Sequence, residues 1–183
     1  MRGEGLEVIL VDVTESWVQR PKRNRQRNKK IIKNRKNGQK RWYSGKKKYH
    51  TVKSQIVICA SSKIIIAVFV DCGRTHDFEM WKKSIGVKVV KHIKIKADKG
   101  YQGIAELHPN SETPKKKPKG GKLTKEEKAD NRRINSERVP VEHSNCRLKR
   151  FHILADRYRN RRRRFGLRLS LFCGLHNFEL AII

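Results

Sequence analysis

Acidic residues are scarce in this sequence. Its 183 residues include 17 Asp and Glu against 46 Lys and Arg, a formal net charge of +29, and no acid occurs between Glu15 and Asp71. Repulsion among so many like charges destabilises a compact chain unless a polyanion neutralises it. The composition therefore favours nucleic acid as the partner. An anionic membrane surface is the weaker alternative, because the basic runs lack the apolar face of an interfacial helix.

Long apolar segments are also lacking. The longest, IIIAVFV at 64–70, is far shorter than the roughly 20 residues that a membrane-spanning helix needs. The first residues, MRGEGLEVILVDVT, carry acids within and just after their apolar stretch, which is not the pattern of a signal peptide. We therefore expect no membrane partner and a cytoplasmic location.

Cysteine is infrequent and widely spaced. The chain has 4 cysteines and no C-x-x-C pair. This spacing predicts reduced, buried thiols rather than a disulfide framework or a structural zinc site.

Short runs rich in Val and Ile predict a sheet. The predicted strands are LEVILVDVT, TVKSQIVICA, KIIIAVFVDC and VVKHIKIKAD. The second and third form a hairpin, and the helical segment before the fourth allows that strand to lie parallel to the first. The order predicts one α/β domain over residues 1–183, with a mixed sheet flanked by helices and long basic loops.

Capping residues locate the helices. THDFEMWKKSI predicts a short helix with Thr75 or Asp77 as its cap, and LTKEEKADNRRIN begins with a capping-box spacing. A separate long helix is predicted from about Ser136, which puts Pro140 in the first turn, where a missing N–H costs least. FGLRLSLFCGLHNFEL predicts a last, amphipathic helix.

Two segments are predicted to be loops. Residues 18–50 form a basic loop, in which Trp42, Tyr43 and Tyr49 alternate with lysines, and about 108–123 form a Lys/Pro/Gly linker. The lysines are either a solvated face or a DNA-backbone contact, and the absence of acids favours DNA. Tyr43 and Tyr49 are equally compatible with the core of a strand.

Three acids stand out in this basic chain. Asp12 and Asp98 follow the apolar parts of the first and fourth strands, so in a parallel pair their carboxylates emerge at the same sheet edge. Glu142 lies on the predicted helix from Ser136, which is able to pack across that edge. Three converging carboxylates form a hard-oxygen site suited to Mg²⁺.

Each acid also has a simpler explanation. Asp12 ends a strand, Asp98 initiates a turn in ADKG, and Glu142 is a helix-surface partner of Arg138, a pairing that contributes about 0.3–0.5 kcal/mol. Asp71 and Asp77 are rival acids that also follow a strand. Only the three acids taken together favour the catalytic interpretation.

Five blocks of sequence resemble one family. VDVT, YSGKKKYHTVKSQ, GRTHD, ADKGY and ERVPVEHSNCRLKRF are similar, in this order, to the DDE transposases of bacterial insertion sequences, of the insertion-sequence-five group in the insertion-sequence-four superfamily. The superfamily signature is Tyr, two residues, Arg, three residues, Glu, six residues, Lys. Arg138, Glu142 and Lys149 match this spacing, and Asn135 stands at the tyrosine position.

The resemblance implies a ribonuclease H-like fold and a metal-dependent reaction. Asp12, Asp98 and Glu142 would be the catalytic triad. They would also be the ligands of two Mg²⁺ ions, or of Mn²⁺ ions in their place. The reaction would be phosphoryl transfer without a covalent enzyme intermediate. The expected DNA-binding residues are Arg138, Lys149, Lys46, Lys47, Lys48, His50 and Lys53. The expected structural or supporting residues are Thr14, His76, Asp77, Lys99 and Tyr101.

Transposon ends and target DNA would be the partners, in the cytoplasm of a bacterium and associated with its nucleoid. A second copy of the chain is a further expected partner. Family members usually carry a DNA-recognition region before the first catalytic strand, and that strand begins here within ten residues of Met1. We therefore expect that region to be absent: either a segment encoded in an upstream frame supplies it, or the chain is a truncated copy. A non-catalytic nucleic-acid binder and an inactive transposon remnant remain the alternative functions.

Overall fold

A mixed sheet forms the centre of the structure. The computed structural model describes residues 6–21 and 38–182. The strands are β1 (Val8–Trp17), β2 (Thr51–Cys59), β3 (Ile65–Cys72), β4 (Lys94–Ala97) and β5 (Ser111–Glu112). The helices are α1 (Gly38–Trp42), α2 (Asp77–Lys83), α3 (Ile104–Leu107), α4 (Lys125–Leu148), α5 (His152–Ala155) and α6 (Phe165–Ile182).

The strand order is β3-β2-β1-β4-β5. β2 pairs antiparallel with both β1 and β3, whereas β1, β4 and β5 are parallel. The predicted hairpin and the parallel pairing of the first and fourth strands are therefore confirmed. The predicted mixed α/β sheet is confirmed with them.

Alternate side chains of β1 enter two different cores. Leu10 packs with residues of β2, α4 and α6, including Val141, on one face of the sheet. Ile9 and Val11 pack with Trp81 and Tyr101 on the other face. This two-sided burial follows from the period of two in a strand, and it explains why the start of β1 is almost continuously apolar.

β1 is longer than its apolar residues predict. Asp12 was expected at the end of the strand, but pairing with β2 continues through Trp17↔Thr51, so that prediction was wrong. On the other side of β1, the pairing with β4 involves Val8–Val11 and does not extend to Asp12. Because β4 ends at Ala97, β1 has no strand beside it on that side from Asp12 onward. Asp12 therefore lies at a sheet edge although β1 itself continues.

α4 is one continuous helix of 24 residues, not two. Thr124 and Glu127 form the predicted capping box, but Pro140 lies inside the helix and not in a first turn. The packing of Ile134 and Val141 against the sheet side stabilises a helix that the proline would otherwise interrupt. The helix also ends earlier than predicted, at Leu148, and α5 follows as a separate turn.

Both predicted loops contain regular structure. The linker includes β5, and the Asn131 side chain accepts a hydrogen bond from the Lys115 backbone N–H (2.8 Å) and donates one to its carbonyl oxygen (3.1 Å). The basic loop includes α1 and a bridge between Tyr43 and His50. The part of this loop at 22–37 lies outside the described residues.

The four cysteines are all free thiols. Cys72 and Cys173 are buried as expected, Cys59 is half-buried, and Cys146 is exposed, contrary to the prediction. In the part of the chain that the structure describes, no helix has the length and apolar character to cross a membrane.

Candidate active site

Asp12 and Asp98 occupy adjoining positions of neighbouring strands. The register pairs Val11 with Ala97, so Asp12 is the next residue of β1 and Asp98 is the first residue after β4. The Arg138 guanidinium connects them, with Nη2 at 3.3 Å from Asp12 Oδ1 and Nη1 at 3.7 Å from Asp98 Oδ1. The two carboxylates are therefore held at one edge of the sheet by one cation from α4.

The two aspartates have different environments. The Asp98 side chain is half exposed, whereas that of Asp12 retains only 22% of its exposure. Burial raises the pKa of Asp12 to about 6, although the charge of Arg138 and a hydrogen bond from Asn145 oppose the shift. Asn145 Nδ2 donates that bond to Asp12 Oδ2 at 2.7 Å.

α4 directs a polar face at β1. Arg138 and Asn145 are buried, and each carries a side-chain atom without a hydrogen-bond partner, Arg138 Nε and Asn145 Oδ1. Buried polar atoms are rarely unpaired, so these two mark a place where a further polar group can be bound. Glu142 and Lys149, which follow Arg138 in the predicted signature, are exposed.

The third predicted carboxylate is therefore separate from the first two. Glu142 is the helical neighbour of both Arg138 and Asn145, but its side chain faces solvent. Within residues 6–21 and 38–182, no group of three or more His, Cys, Asp or Glu side chains is arranged to hold a metal ion. The structure brings together Asp12 and Asp98 only.

A basic cleft continues from the aspartates along β1. It has a volume of about 590 Å³ and contains Thr14, Lys46, Lys47, His76 and Lys149 among its lining residues. Thr14 is on the same face of β1 as Asp12, two residues further along the strand. With Lys53 and Asp77, four of the expected DNA-binding lysines therefore line one cleft together with three of the expected supporting residues.

Lys53 and Asp77 also line the cleft but bind each other. Lys53 Nζ lies 2.6 Å from Asp77 Oδ1 and donates to the Thr75 carbonyl oxygen at 2.8 Å. Lys53 therefore links β2 to the turn before α2, and its contact with DNA stays a prediction. Asp77 does not cap its helix either: His76 is the N-cap residue, without a side-chain hydrogen bond.

Arg138 was also expected to contact DNA. Its side chain is only 4% exposed and is engaged by both aspartates, so it is not available to a phosphate in this conformation. The cations in the exposed part of the site are Lys46, Lys47, Arg74 and Lys149.

The remaining expected residues have structural or peripheral positions. Tyr101 is buried, donates to Gln55 Oε1 at 3.2 Å, and has a pKa raised well above its usual value by burial and nearby carboxylates. His50 is half-buried against Tyr43, and burial together with neighbouring arginines lowers its pKa. Lys48 and Lys99 are exposed and lie outside the cleft lining.

Two residues of the site were not predicted from the sequence. Asn145 binds Asp12, and Arg74 adds a cation to the cleft. Asn145 lies on the same helical stripe as Arg138, so its position was detectable, but an amide without a charge gave no reason to select it. Arg74 belongs to GRTHD, in which only His76 and Asp77 were predicted to have a role.

Comparisons with known proteins agree with this geometry. The family described as DDE superfamily endonuclease matches residues 11–177. The chain is 49% identical over 175 residues to a protein of Microchaete diplosiphon described as a probable transposase for insertion sequence element IS702. The match covers 96% of this chain and 58% of that relative, so the chain spans somewhat more than half of the relative's length. No solved structure matches the chain.

Proposed function

Because the chain belongs to the DDE superfamily endonucleases, we propose that it is a transposase catalytic domain that cuts and joins DNA ends by metal-dependent phosphoryl transfer. The observation that carries the proposal is the pair of aspartates, held by Arg138 at the edge between two parallel strands. The predicted ribonuclease H-like fold agrees with the family. The relative described as a probable transposase supports insertion-sequence DNA as the substrate.

The donor atoms suit a hard divalent cation. DDE superfamily endonucleases use divalent metals, and oxygen ligands favour Mg²⁺ or Mn²⁺. Asp12 and Asp98 supply carboxylate oxygens, and the unpaired Asn145 Oδ1 is a further oxygen in the same buried region. We propose that Asp12, Asp98 and Glu142 hold two such ions. When bound, the ions supply activation of the attacking oxygen and stabilisation of the leaving oxygen.

Glu142 is the third ligand of this proposal because of its position on α4. It lies between Arg138 and Asn145, the two residues that contact Asp12, and helical neighbours three and four residues apart share one side of a helix. The same helix therefore supplies the cation that balances the aspartates, the amide that orients Asp12, and the third acid.

Other residues of the site orient the Asp12 carboxylate and bind the DNA backbone. Asn145 fixes the orientation of the Asp12 carboxylate through the hydrogen bond to Oδ2. The cleft cations Lys46, Lys47, Arg74 and Lys149 bind the phosphates of the DNA strand that leads to the aspartates. We further propose that residues 1–183 act as one catalytic domain, in the bacterial cytoplasm, with transposon ends and target DNA as the partners.

Single neutralising substitutions test the triad. Asp12→Asn, Asp98→Asn and Glu142→Gln should each abolish strand cleavage and joining in Mg²⁺ or Mn²⁺, while DNA affinity holds or rises slightly because a negative charge near phosphate is removed. Glu137→Gln is the matched control, since Glu137 forms its ion pairs with Lys96 and Arg133 instead. Cleavage on an end-labelled transposon-end duplex is the measurement.

The Glu137→Gln control and the metal dependence of cleavage distinguish an active transposase from a non-catalytic binder or an inactive remnant. Loss of activity in Glu137→Gln equal to that in Glu142→Gln would show that the wrong acid was chosen. Metal binding by calorimetry should weaken in Asp98→Asn, and Ca²⁺ alone should not support cleavage, because it tolerates looser coordination. A wild-type chain that binds DNA but does not cut it in either Mg²⁺ or Mn²⁺ would favour a non-catalytic binder or an inactive remnant.

A further inference from the structure

Two aromatic side chains are exposed beside each other at the far end of β1. Trp17 is 43% and Tyr49 is 38% exposed, and their ring centroids are 5.4 Å apart. The Arg157 guanidinium lies over the Trp17 ring, 5.2 Å from its centroid. Large aromatic rings are usually buried, so an exposed pair beside a cation is typical of a binding surface.

The backbone holds this pair in place. The Trp17 carbonyl accepts a hydrogen bond from the Tyr158 N–H at 2.7 Å, and the Tyr49 carbonyl accepts one from the Ser44 N–H at 2.9 Å. The two rings therefore come from backbone segments whose positions are fixed, and the ring planes are inclined at 49° to each other. A preorganised aromatic surface loses little conformational entropy when a flat ligand stacks on it.

The pair is continuous with the basic cleft. Residues 44–47 line the cleft, and the same turn leads directly to Tyr49. Trp17 follows Asp12 by five residues along β1, about 17 Å at the rise of an extended strand. Glu15, an acid on this path, accepts a hydrogen bond from the Thr51 hydroxyl at 2.8 Å.

We propose that Trp17 and Tyr49 form a stacking platform for an unpaired base of single-stranded DNA. In a duplex the faces of the bases are covered by their neighbours, so an aromatic side chain can stack fully only on a base that has left the helix. Arg157 and the lysines of the adjoining turn bind the backbone on either side of that base.

This inference rests on the proposal that DNA is the substrate, and it adds a preference for unpaired strand. Removing a stacked base should weaken binding about 5- to 100-fold. Anisotropy titrations of a labelled single strand and a duplex of the same length, in EDTA at physiological salt, measure this without any cleavage. Trp17→Ala with Tyr49→Ala should weaken single-strand binding by that factor and leave duplex binding nearly unchanged.

Phe178→Ala is the matched control, because Phe178 is an aromatic residue of α6 that is 64% exposed. Equal losses on single strand and duplex, or no loss on either, would overturn the proposal. An abasic scan of the single strand against the wild-type chain needs no variant: one or two abasic positions should reproduce the loss, and a flat scan would contradict the platform.

The two proposals fail separately. If the triad substitutions leave cleavage intact, the catalytic proposal fails while the single-strand preference in EDTA is unaffected. If cleavage behaves as expected but the abasic scan is flat, only the stacking platform is wrong. Tyr49→Phe, which keeps the aromatic face, should bind single strand as the wild type does.

Discussion

Asp12 occupies an unfavourable position for a charged carboxylate. It is largely buried, and its pKa is raised to about 6 even though Arg138 and Asn145 favour the charged form. A carboxylate kept charged at neutral pH in such a place costs folding free energy. Such a loss of folding free energy is expected for a carboxylate whose strongest interaction forms only when a cation binds to it.

The free energy of unfolding should report this cost. The carboxyl of Asp12 ordinarily has a pKa of 3.8, and in the folded chain it is about 6. Between these values the folded chain binds more protons than the unfolded chain, so the Asp12 contribution to stability falls as the pH rises through this window. From pH 5 to pH 7 the loss is about 1 kcal/mol.

Asp12→Asn removes this dependence. The free energy of unfolding of the variant, relative to that of the wild type, should be about 1 kcal/mol higher at pH 7 than at pH 5 in urea unfolding. Glu137→Gln is the comparison, because an ion pair with Lys96 lowers the pKa of Glu137, whose contribution is therefore already complete above pH 5. A gain by Asp12→Asn that is the same at both pH values would contradict the raised pKa.

At the scale of elements, α4 is the part that assembles the site. It carries Arg138, Glu142 and Asn145, and it packs Val141 and Leu148 into the core beside β1. Pro140 lies between the first two, and its ring nitrogen has no hydrogen to donate to the Ser136 carbonyl one turn earlier. The helix therefore lacks one backbone hydrogen bond at the level of the site.

Pro140→Ala should stabilise the chain. An interior proline costs a helix up to about 3 kcal/mol, and part of that should be recovered when the hydrogen bond to Ser136 forms. We expect the urea midpoint to rise. Val139→Ala, at the exposed neighbouring position, is the control and should change stability little. A lower midpoint for Pro140→Ala would mean that the local geometry requires proline.

At the scale of the whole molecule, charge governs binding. The chain carries a net charge of +29, and the cleft gathers Lys46, Lys47, Arg74 and Lys149 beside the aspartate pair. Cations that contact phosphates release counterions from DNA, so affinity falls with salt in proportion to their number. The cleft cations should therefore contribute to the salt dependence, whereas lysines elsewhere should contribute less.

Replacing Lys46 and Lys47 with Ala should reduce the slope of log affinity against log salt by about 2, near one for each lost phosphate contact. Anisotropy titrations at several salt concentrations measure the slope. Lys116→Ala with Lys117→Ala is the charge-matched control, because these exposed lysines follow β5 and do not line the cleft. Equal slopes for both pairs would show that the cleft has no special share in binding.

The sequence by itself determined the first four strands, the hairpin of β2 and β3, the parallel pairing of β1 with β4, and the proximity of Asp12 to Asp98. These features depend on local rules: short Val- and Ile-rich runs form buried strands, and a short turn joins two strands as a hairpin. The capping box at Thr124 is equally local, because its two hydrogen bonds join residues three apart.

Only the tertiary structure decided which charges meet. The simpler explanation of Glu142 pairs it with Arg138 on the same helix, but Arg138 binds Asp12, which is 126 residues away in the chain. Lys53 pairs with Asp77, and Glu137 with Lys96, in the same way. Helical spacing specifies neighbours on one element, whereas these pairs depend on the sheet register and on how α4 docks across it. Burial then selects the partners, because a charge removed from water requires an opposite charge within reach.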